Sequence, residues 1–243
     1  MKKSMGIAWV PVTGFIIALL AIVIFIIAAL GNRFDFLFTA LVVRMVFISM
    51  ITGFAAAIIS VAGIIIGILT GKTNGYLFGL FGIVLGLAIA WGPWNLYSKN
   101  MPRIHDISTD TQDPPGFVDV MPLREKAANP AVYEGPSVAS MQEKYYPDIK
   151  PLFLEIPAGE AFDRALTVSH SMGWKIISSV KDSGRIEATA TTFWMGFKDD
   201  IVIRVKTSGS GSRVDIRSVS RVGKGDFGTN AARIRSFLKA MQK

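Results

Sequence analysis

Residues 9–30 read WVPVTGFIIALLAIVIFIIAAL, twenty-two positions without a charged side chain. A helix needs about 20 mostly apolar residues to cross the hydrocarbon core of a bilayer. The h-region of a cleaved signal peptide is only about 7–15 residues long, so this stretch is too long for one. Residues 45–69 and 76–94 supply two more uncharged runs, of 25 and 19 residues. The expected architecture therefore begins with three membrane-spanning helices, at about 9–30, 45–69 and 76–94.

The whole composition agrees. The chain has 243 residues, 51% hydrophobic and 18% charged, against about 25% charged in ordinary soluble domains. It has no cysteine, which removes disulfides, thiolate metal sites and cysteine nucleophiles. No Asp, Glu, Lys, Arg or His lies within the three runs. Ion and proton pathways usually need one there, which argues against a channel or transporter.

Residues 31–44, GNRFDFLFTALVVR, suit either a short interfacial helix carrying Phe34, Phe36, Phe38 and Leu41 or an extension of the second span. Trp9, Trp91, Trp94 and Tyr97 fall at span ends, where amphipathic rings prefer to lie. Small residues recur at helical spacing: Gly53, Ala56, Ser60, Gly63 and Gly67, then Gly75, Gly79, Gly82 and Gly86. Such stripes let two backbones approach closely in lipid. They serve either packing within this chain or docking of another membrane protein. Residues 71–75, GKTNG, close the second and third spans into an antiparallel hairpin.

Lys2, Lys3 and Lys72 fall on one side of a three-span protein; Arg33, Arg44, Lys99 and Arg103 fall on the other. The positive-inside rule is nearly balanced. Lys2 and Lys3 beside the first span favour a cytoplasmic N-terminus. The odd number of spans then sends the C-terminal half outside the cytoplasm, from a multi-pass position in the inner (plasma) membrane.

That second half is water-soluble in character. The chain carries +8 overall, of which residues 1–96 hold 5 basic and 1 acidic residue. The rest therefore holds +4, without the basic-aromatic platform that nucleic acid requires. Residues 97–150 are rich in proline, which blocks long helices. Apolar anchors such as Ile104, Phe117, Tyr133 and Ile149 predict a segment that wraps the folded domain, with one short helix near 137–144.

From residue 151 onward the alternation is regular. Leu152, Leu154 and Ile156 predict a strand, followed by a helix with Pro157 in its first turn and Gly173 as its stop. Strands follow at 174–178 and 186–190. A hairpin then joins 200–206 to 213–219, with Val205 opposite Val214 and Arg204 opposite Asp215. A final helix capped by Asn230 buries Ala231, Ile234, Leu238 and Met241, with Arg233, Arg235 and Lys239 facing water. The expected fold class is a membrane α-helical part with three spans plus a soluble α+β domain, an antiparallel sheet with helices on one face.

Several segments carry a resemblance: NMPRIHDISTDTQDPPGF (100–117), QEKYYPDIKPL (142–152), GWKI (173–176), EATATTFWMGFKDDIVIRV (187–205) and RVDIRSVSRVGKGDFGTNAARI (213–234). Together they resemble the bacterial and plastid family catalogued as domain of unknown function 1499, over about residues 97–243. The family's shorter members look like lipoproteins or exported proteins, which implies an extracytoplasmic domain. The resemblance implies no activity and supplies no site residues.

Candidate chemistry is sparse. His105 with Asp106, Asp110 and Asp113 suits either side-chain-capped turns or an oxygen-rich cation site. His170, Asp163 and Thr167 read as a solvated helix face. Asp199 and Asp200 are adjacent, so strand alternation sends them to opposite sides. No catalytic, cofactor or metal residues are assigned.

The singular feature is the turn Phe193–Lys198, FWMGFK, where polar residues are ordinary. Either Phe193 and Phe197 tuck into the core, or the turn is an exposed apolar patch of the kind that marks contacts. The contact candidates are Trp194, Met195, Phe197 and Lys198; the helix-packing candidates are Gly63, Gly67, Gly75, Gly79, Gly82 and Gly86. The expected role is a non-enzymatic binding module in the cell envelope, taking a lipid-like ligand or protein partner beside the lipid bilayer. The alternatives are an accessory subunit of a membrane complex and, remotely, a hydrolase at His105 and Asp106.

Overall fold

The computed structural model describes residues 9–98 and 101–243. Lys2, Lys3 and Lys99, on which the sequence argument for orientation partly rests, lie outside the described residues. The chain divides into two compact units, residues 1–100 with Trp194–Gly196, and residues 101–193 with 197–243.

The first unit contains three apolar helices: α1 (Trp9–Arg33), α2 (Thr39–Thr70) and α3 (Tyr76–Ser98). Each is long and apolar enough to cross a membrane. Residues 39–44 extend α2, which settles the reading of that segment in favour of a longer second helix. Only 34–38 form the connection, where Phe34, Phe36 and Phe38 are exposed and Asp35 turns the chain at φ +56°. Gly71, in the left-handed conformation at φ +67°, ends α2.

Packing in this bundle inverts that of a soluble protein. Large residues such as Ile16, Leu20 and Ile58 face outward, and Ala18, Ala21, Gly53, Ala56 and Ser60 are buried. Small residues inside are what lipid favours, because it gives helices no hydrophobic reason to associate and rewards close approach. The buried stripe of α2 runs Ser49, Gly53, Ala56, Ser60, Gly63, Gly67. Its alternating steps of four and three keep one seam facing its neighbours.

The second unit is a six-stranded antiparallel sheet with helices packed on one side. Its elements are β1 (Asp106–Ser108), α4 (Pro136–Tyr145), β2 (Leu152–Leu154), α5 (Ala158–Ser171), β3 (Lys175–Val180), β4 (Arg185–Thr191), β5 (Lys198–Ser208), β6 (Gly211–Ser220) and α6 (Thr229–Met241). The sheet order is β1–β6–β5–β4–β3, and β2 also pairs with β6. Val205 pairs with Val214 and Arg204 with Asp215, the register that the hairpin's alternation predicts.

Ile186, Ala188, Ile201, Ile203, Val214 and Ile216 form the helix-facing layer of the sheet. Phe162 of α5 and Ile234 and Phe237 of α6 fill the space above it, and Trp174 stacks on Phe237 with ring centroids 5.7 Å apart. Each large side chain fully buried here contributes about 1.5–3 kcal/mol.

Five local expectations are corrected. β1 lies inside the proline-rich segment, hidden from pattern reading because three residues carry no period. Ile156 falls beyond β2, and Pro157 is the residue before α5 rather than its first. Asn230 does not cap α6. Asp226 does, its carboxylate accepting from the N–H groups of Gly228 and Asn230 at 2.8 and 2.7 Å, while the Asn230 side chain is buried and bonded to Ser218, Ser220 and the His105 carbonyl. Arg233 does not face water; it is paired with Asp199 at 2.6 Å and only 9% exposed.

Candidate functional site: a charged sheet face and an apolar turn

The side of the sheet away from α5 and α6 is charged, yet it is buried. Strand alternation puts Asp106, Glu187, Thr189, Asp200, Arg204, Asp215 and Arg217 there. Of these, Glu187, Asp200 and Asp215 are fully buried, and Arg217 is 2% exposed. The cover is the proline-rich segment 109–133. It has few internal backbone bonds, so its carbonyls and N–H groups are available to the sheet.

Arg217 binds Asp106 through two nitrogens, at 2.9 and 2.6 Å, and donates to the carbonyls of Pro115 and Ala131. The rings of Phe117 and Tyr133 lie 5.2 and 5.4 Å from its guanidinium carbon. Arg124 descends from the covering segment to Asp200 at 2.6 Å, and Arg221 reaches the same carboxylate at 2.8 Å. Glu187 accepts from the N–H groups of Val118 and Val120, both at 2.8 Å. Asp110 and Asp215 share Arg204 and Arg213. Buried charges need such partners, because an unpaired one is very costly in low dielectric.

These pairs shift proton affinities. Burial raises the Asp106 carboxyl above the ordinary range despite Arg217. Burial, with the Asp106 charge nearby, raises the Tyr133 hydroxyl to about 12. At Asp110 burial also acts upward, but the N–H groups of Asp113 and Gln112 and the charge of Arg213 outweigh it and lower the value.

The acidic residues singled out in the sequence are therefore separated rather than assembled. Asp106 is in β1. Asp110 forms the side-chain-capped turn, accepting from the N–H groups of Gln112 and Asp113 at 3.1 and 2.9 Å. Asp199 points to α6 and Asp200 to the covering segment, as strand alternation requires. His105 is buried, with its Nε2 making no hydrogen bond, and His170 is exposed on α5. Among the described residues no group of three His, Asp or Glu side chains could hold a metal ion. A cavity of about 290 Å³ at the far end of the sheet is lined by residues including Gly159, Lys181, Ser183, Lys206 and Thr207. There Lys181 is engaged by Asp163 at 2.6 Å.

The turn joining β4 to β5 is different. Phe193 is 77% exposed and Trp194 73%, while Met195, Phe197 and Lys198 are half-buried. Phe193 is thus not in the core. The Thr192 hydroxyl accepts from the Phe197 N–H at 2.9 Å, and the Thr192 N–H donates to the Phe197 carbonyl at 2.8 Å, closing the base of the turn. Of its apolar side chains, Phe193 and Trp194 are the exposed ones.

In the helical unit, the glycines meet neighbours from the same chain. A Cβ on Gly82 would lie 2.2 Å from Ser60 Oγ, one on Gly79 2.8 Å from Ile64, and one on Gly63 2.5 Å from the Pro11 nitrogen. Gly67 abuts Tyr76, and Gly53 and Gly86 each abut the other's carbonyl oxygen. Gly75 lies in the α2–α3 turn and gives its carbonyl to the Gly79 N–H.

Sequence reading did not find the charged buried layer. Alternating charges on one strand face ordinarily mean solvent exposure; the available signal was that four of those alternating residues are acidic–basic complements, Asp106 with Arg217 and Arg204 with Asp215.

Apolar helices followed by an antiparallel sheet domain with helices on one side define a protein with membrane-compatible spans and one α+β module. The model of the family described as protein of unknown function DUF1499 matches residues 106–241, more than half of the chain, and the chain belongs to that family. No curated protein matches it.

Proposed function

We propose that this chain is a multi-pass inner (plasma) membrane protein whose α+β module lies outside the cytoplasm and acts without catalysis, meeting membrane lipid through the turn at 193–198. The observation that carries this reading is the exposure of Phe193 and Trp194 at 77% and 73% on a hairpin end. Exposed aromatic side chains beside a basic residue are the usual makeup of an interfacial contact. A lipid is met at this surface rather than inside the module, because the space between helices and sheet is filled by Phe162, Trp174, Ile234 and Phe237. The glycine stripes of α2 and α3 are used within the chain, which favours this reading over docking of a second membrane subunit. The carboxylates near His105 are engaged by arginines, which disfavours a hydrolase.

Two measurements test it on the full chain, whose lack of cysteine makes single-cysteine labelling clean. Lys239, exposed on α6, is replaced by cysteine. A membrane-impermeant maleimide should label K239C in intact cells, and labelling only after lysis would overturn the orientation. For the contact, a spin label at F193C in phosphatidylcholine discs should be shielded from a water-soluble relaxant. A label that remains in water there but is shielded in native membranes would assign the turn to a protein partner instead.

A further inference from the structure

Phe193, Phe197 and Lys198, at the base of the turn, belong to a larger pole of the second unit, which strand register and hydrogen bonds within that unit define. Thr191 pairs with Lys198, and Asp199 with Ser220, so the β4–β5 turn and the end of β6 share one end of the sheet. The Arg221 N–H donates to the Lys198 carbonyl at 3.0 Å, bringing the loop 221–228 to the same end. The Ser220 N–H donates to the His105 carbonyl at 3.0 Å and the Asp226 N–H to the Ile104 carbonyl at 3.2 Å, so the chain also enters the module here. Arg221 Nη1 donates to the Leu123 carbonyl at 2.8 Å, and the Asn129 N–H to the Arg221 carbonyl at 3.0 Å, adding 123–129.

What this pole exposes is of two kinds. Leu123, Phe193 and Phe227 are exposed and apolar. Phe227 sits at φ +52°, unusual for a bulky residue. It is held there because Asp226 bonds the N–H groups on its C-terminal side, and its ring is 46% exposed. Among them stand Arg103, Lys126 and Lys224, all exposed, and half-buried Lys198. On the opposite side of the charge balance are exposed Glu125 and Asp148, the latter held by Arg235 at 2.5 Å. The pole therefore carries a basic surplus mixed with aromatic side chains.

Chain length says what lies near it. Helix α3 ends at Ser98, and five residues later Arg103 is already part of this pole. A fully extended chain covers about 3.5 Å per residue, so the tether reaches at most roughly 17 Å. With α3 read as a membrane span, so short a connection argues for a lipid surface as the occupant of this pole.

We propose that this pole is a contact surface for anionic phospholipid, with Phe193 and Phe227 entering the acyl boundary and Arg103, Lys126, Lys198 and Lys224 facing headgroup phosphates. The inference rests on the lipid reading of the 193–198 turn and adds a second loop and a headgroup charge to it. A basic residue near an anionic surface changes its occupancy roughly fivefold, so removing two moves the population by more than tenfold.

The test uses the full chain in two sets of discs, phosphatidylcholine alone and phosphatidylcholine mixed with phosphatidylglycerol. Spin labels are placed at F193C and, beside Phe227, at T229C. The expected result is shielding of T229C from the water-soluble relaxant in the phosphatidylglycerol discs. That shielding should be lost when K126E and K224E are combined, with near-ultraviolet circular dichroism confirming the fold. Equal shielding of both labels in both lipids would overturn the anionic preference and leave the reading of the turn standing. Shielding of F193C with T229C always in water would overturn the second loop alone. Both labels in water in every lipid would overturn both readings.

Discussion

Arg217 of β6 and Asp106 of β1 form a two-point ion pair, at 2.9 and 2.6 Å, with both side chains almost wholly excluded from solvent. The pair joins the strand at the start of the module to the strand near its end, and the covering segment closes over it through Phe117 and Tyr133. Removing one member leaves a buried charge without its partner. Arg217→Ala is therefore expected to cost about 3–5 kcal/mol, read as a lowered unfolding midpoint of the module. A combined Asp106→Leu and Arg217→Met replacement should recover much of that loss, since well-packed apolar side chains often replace a buried pair at little cost. Equal losses in the single and double variants would mean that packing of the cover, not charge, governs the site.

Tyr133 gives an alkaline signature. Its hydroxyl is raised to about 12 by burial, from an ordinary value of 10.0. The folded-state value exceeds the unfolded one, so the associated stability is complete below pH 10 and declines as pH rises through about 12. Phenolate absorbance should show a late-titrating tyrosine, and Tyr133→Phe should remove that late step and flatten the alkaline loss of stability. A late step that survives the substitution would reassign it.

Asp226 combines a helix cap with a burial-raised carboxyl. Losing the cap, as in Asp226→Ala, should cost about 1 kcal/mol. The pH dependence has a definite sign. A value raised above the unfolded one means that the native state takes the proton first, so this contribution is complete below the ordinary value of 3.8 and is lost as pH rises through the folded value. The penalty of Asp226→Asn, which is permanently neutral, should accordingly be largest in acid and shrink toward neutral pH. A penalty that grows toward neutral pH would contradict the assignment.

Gly53 and Gly86 bring the backbones of α2 and α3 into close approach. A Cβ on Gly86 would lie 2.5 Å from the Gly53 carbonyl oxygen, and one on Gly53 2.6 Å from the Gly86 carbonyl oxygen. Backbone atoms cannot rotate away, so Gly86→Ala should destabilise the helical unit by about 1–3 kcal/mol. Gly92 has no atom within 4 Å of the same construction. Gly92→Ala should be neutral or slightly stabilising, since alanine favours the helix. Thermal unfolding in detergent compares the two.

The three long apolar helices and the 200–219 hairpin were readable because their signals are local. A bilayer selects on the length of an uncharged run, and a two-faced strand selects on alternation, so Trp9–Leu30 and the Val205–Val214 pairing follow from neighbours in the chain. Of the candidate contact site, the apolar character of 193–198 was readable; the exposure of Phe193 was not, because whether a turn's aromatic ring folds inward depends on the room left by the core.

Sequence alone thus determined that the chain has three apolar helices, an α+β module and a proline-rich connection, since each is fixed by composition over a short window. Tertiary structure decided that Asp200 and Arg217 are buried rather than solvated, that Asp226 rather than Asn230 caps the last helix, and that the facing ends of β4 and β5 share a pole with the loop 221–228 and the entry of the chain. Those outcomes depend on segments about a hundred residues apart meeting: Arg124 reaches Asp200, and Asp106 reaches Arg217. No local pattern encodes a charge whose partner arrives from a distant, irregular strand of backbone.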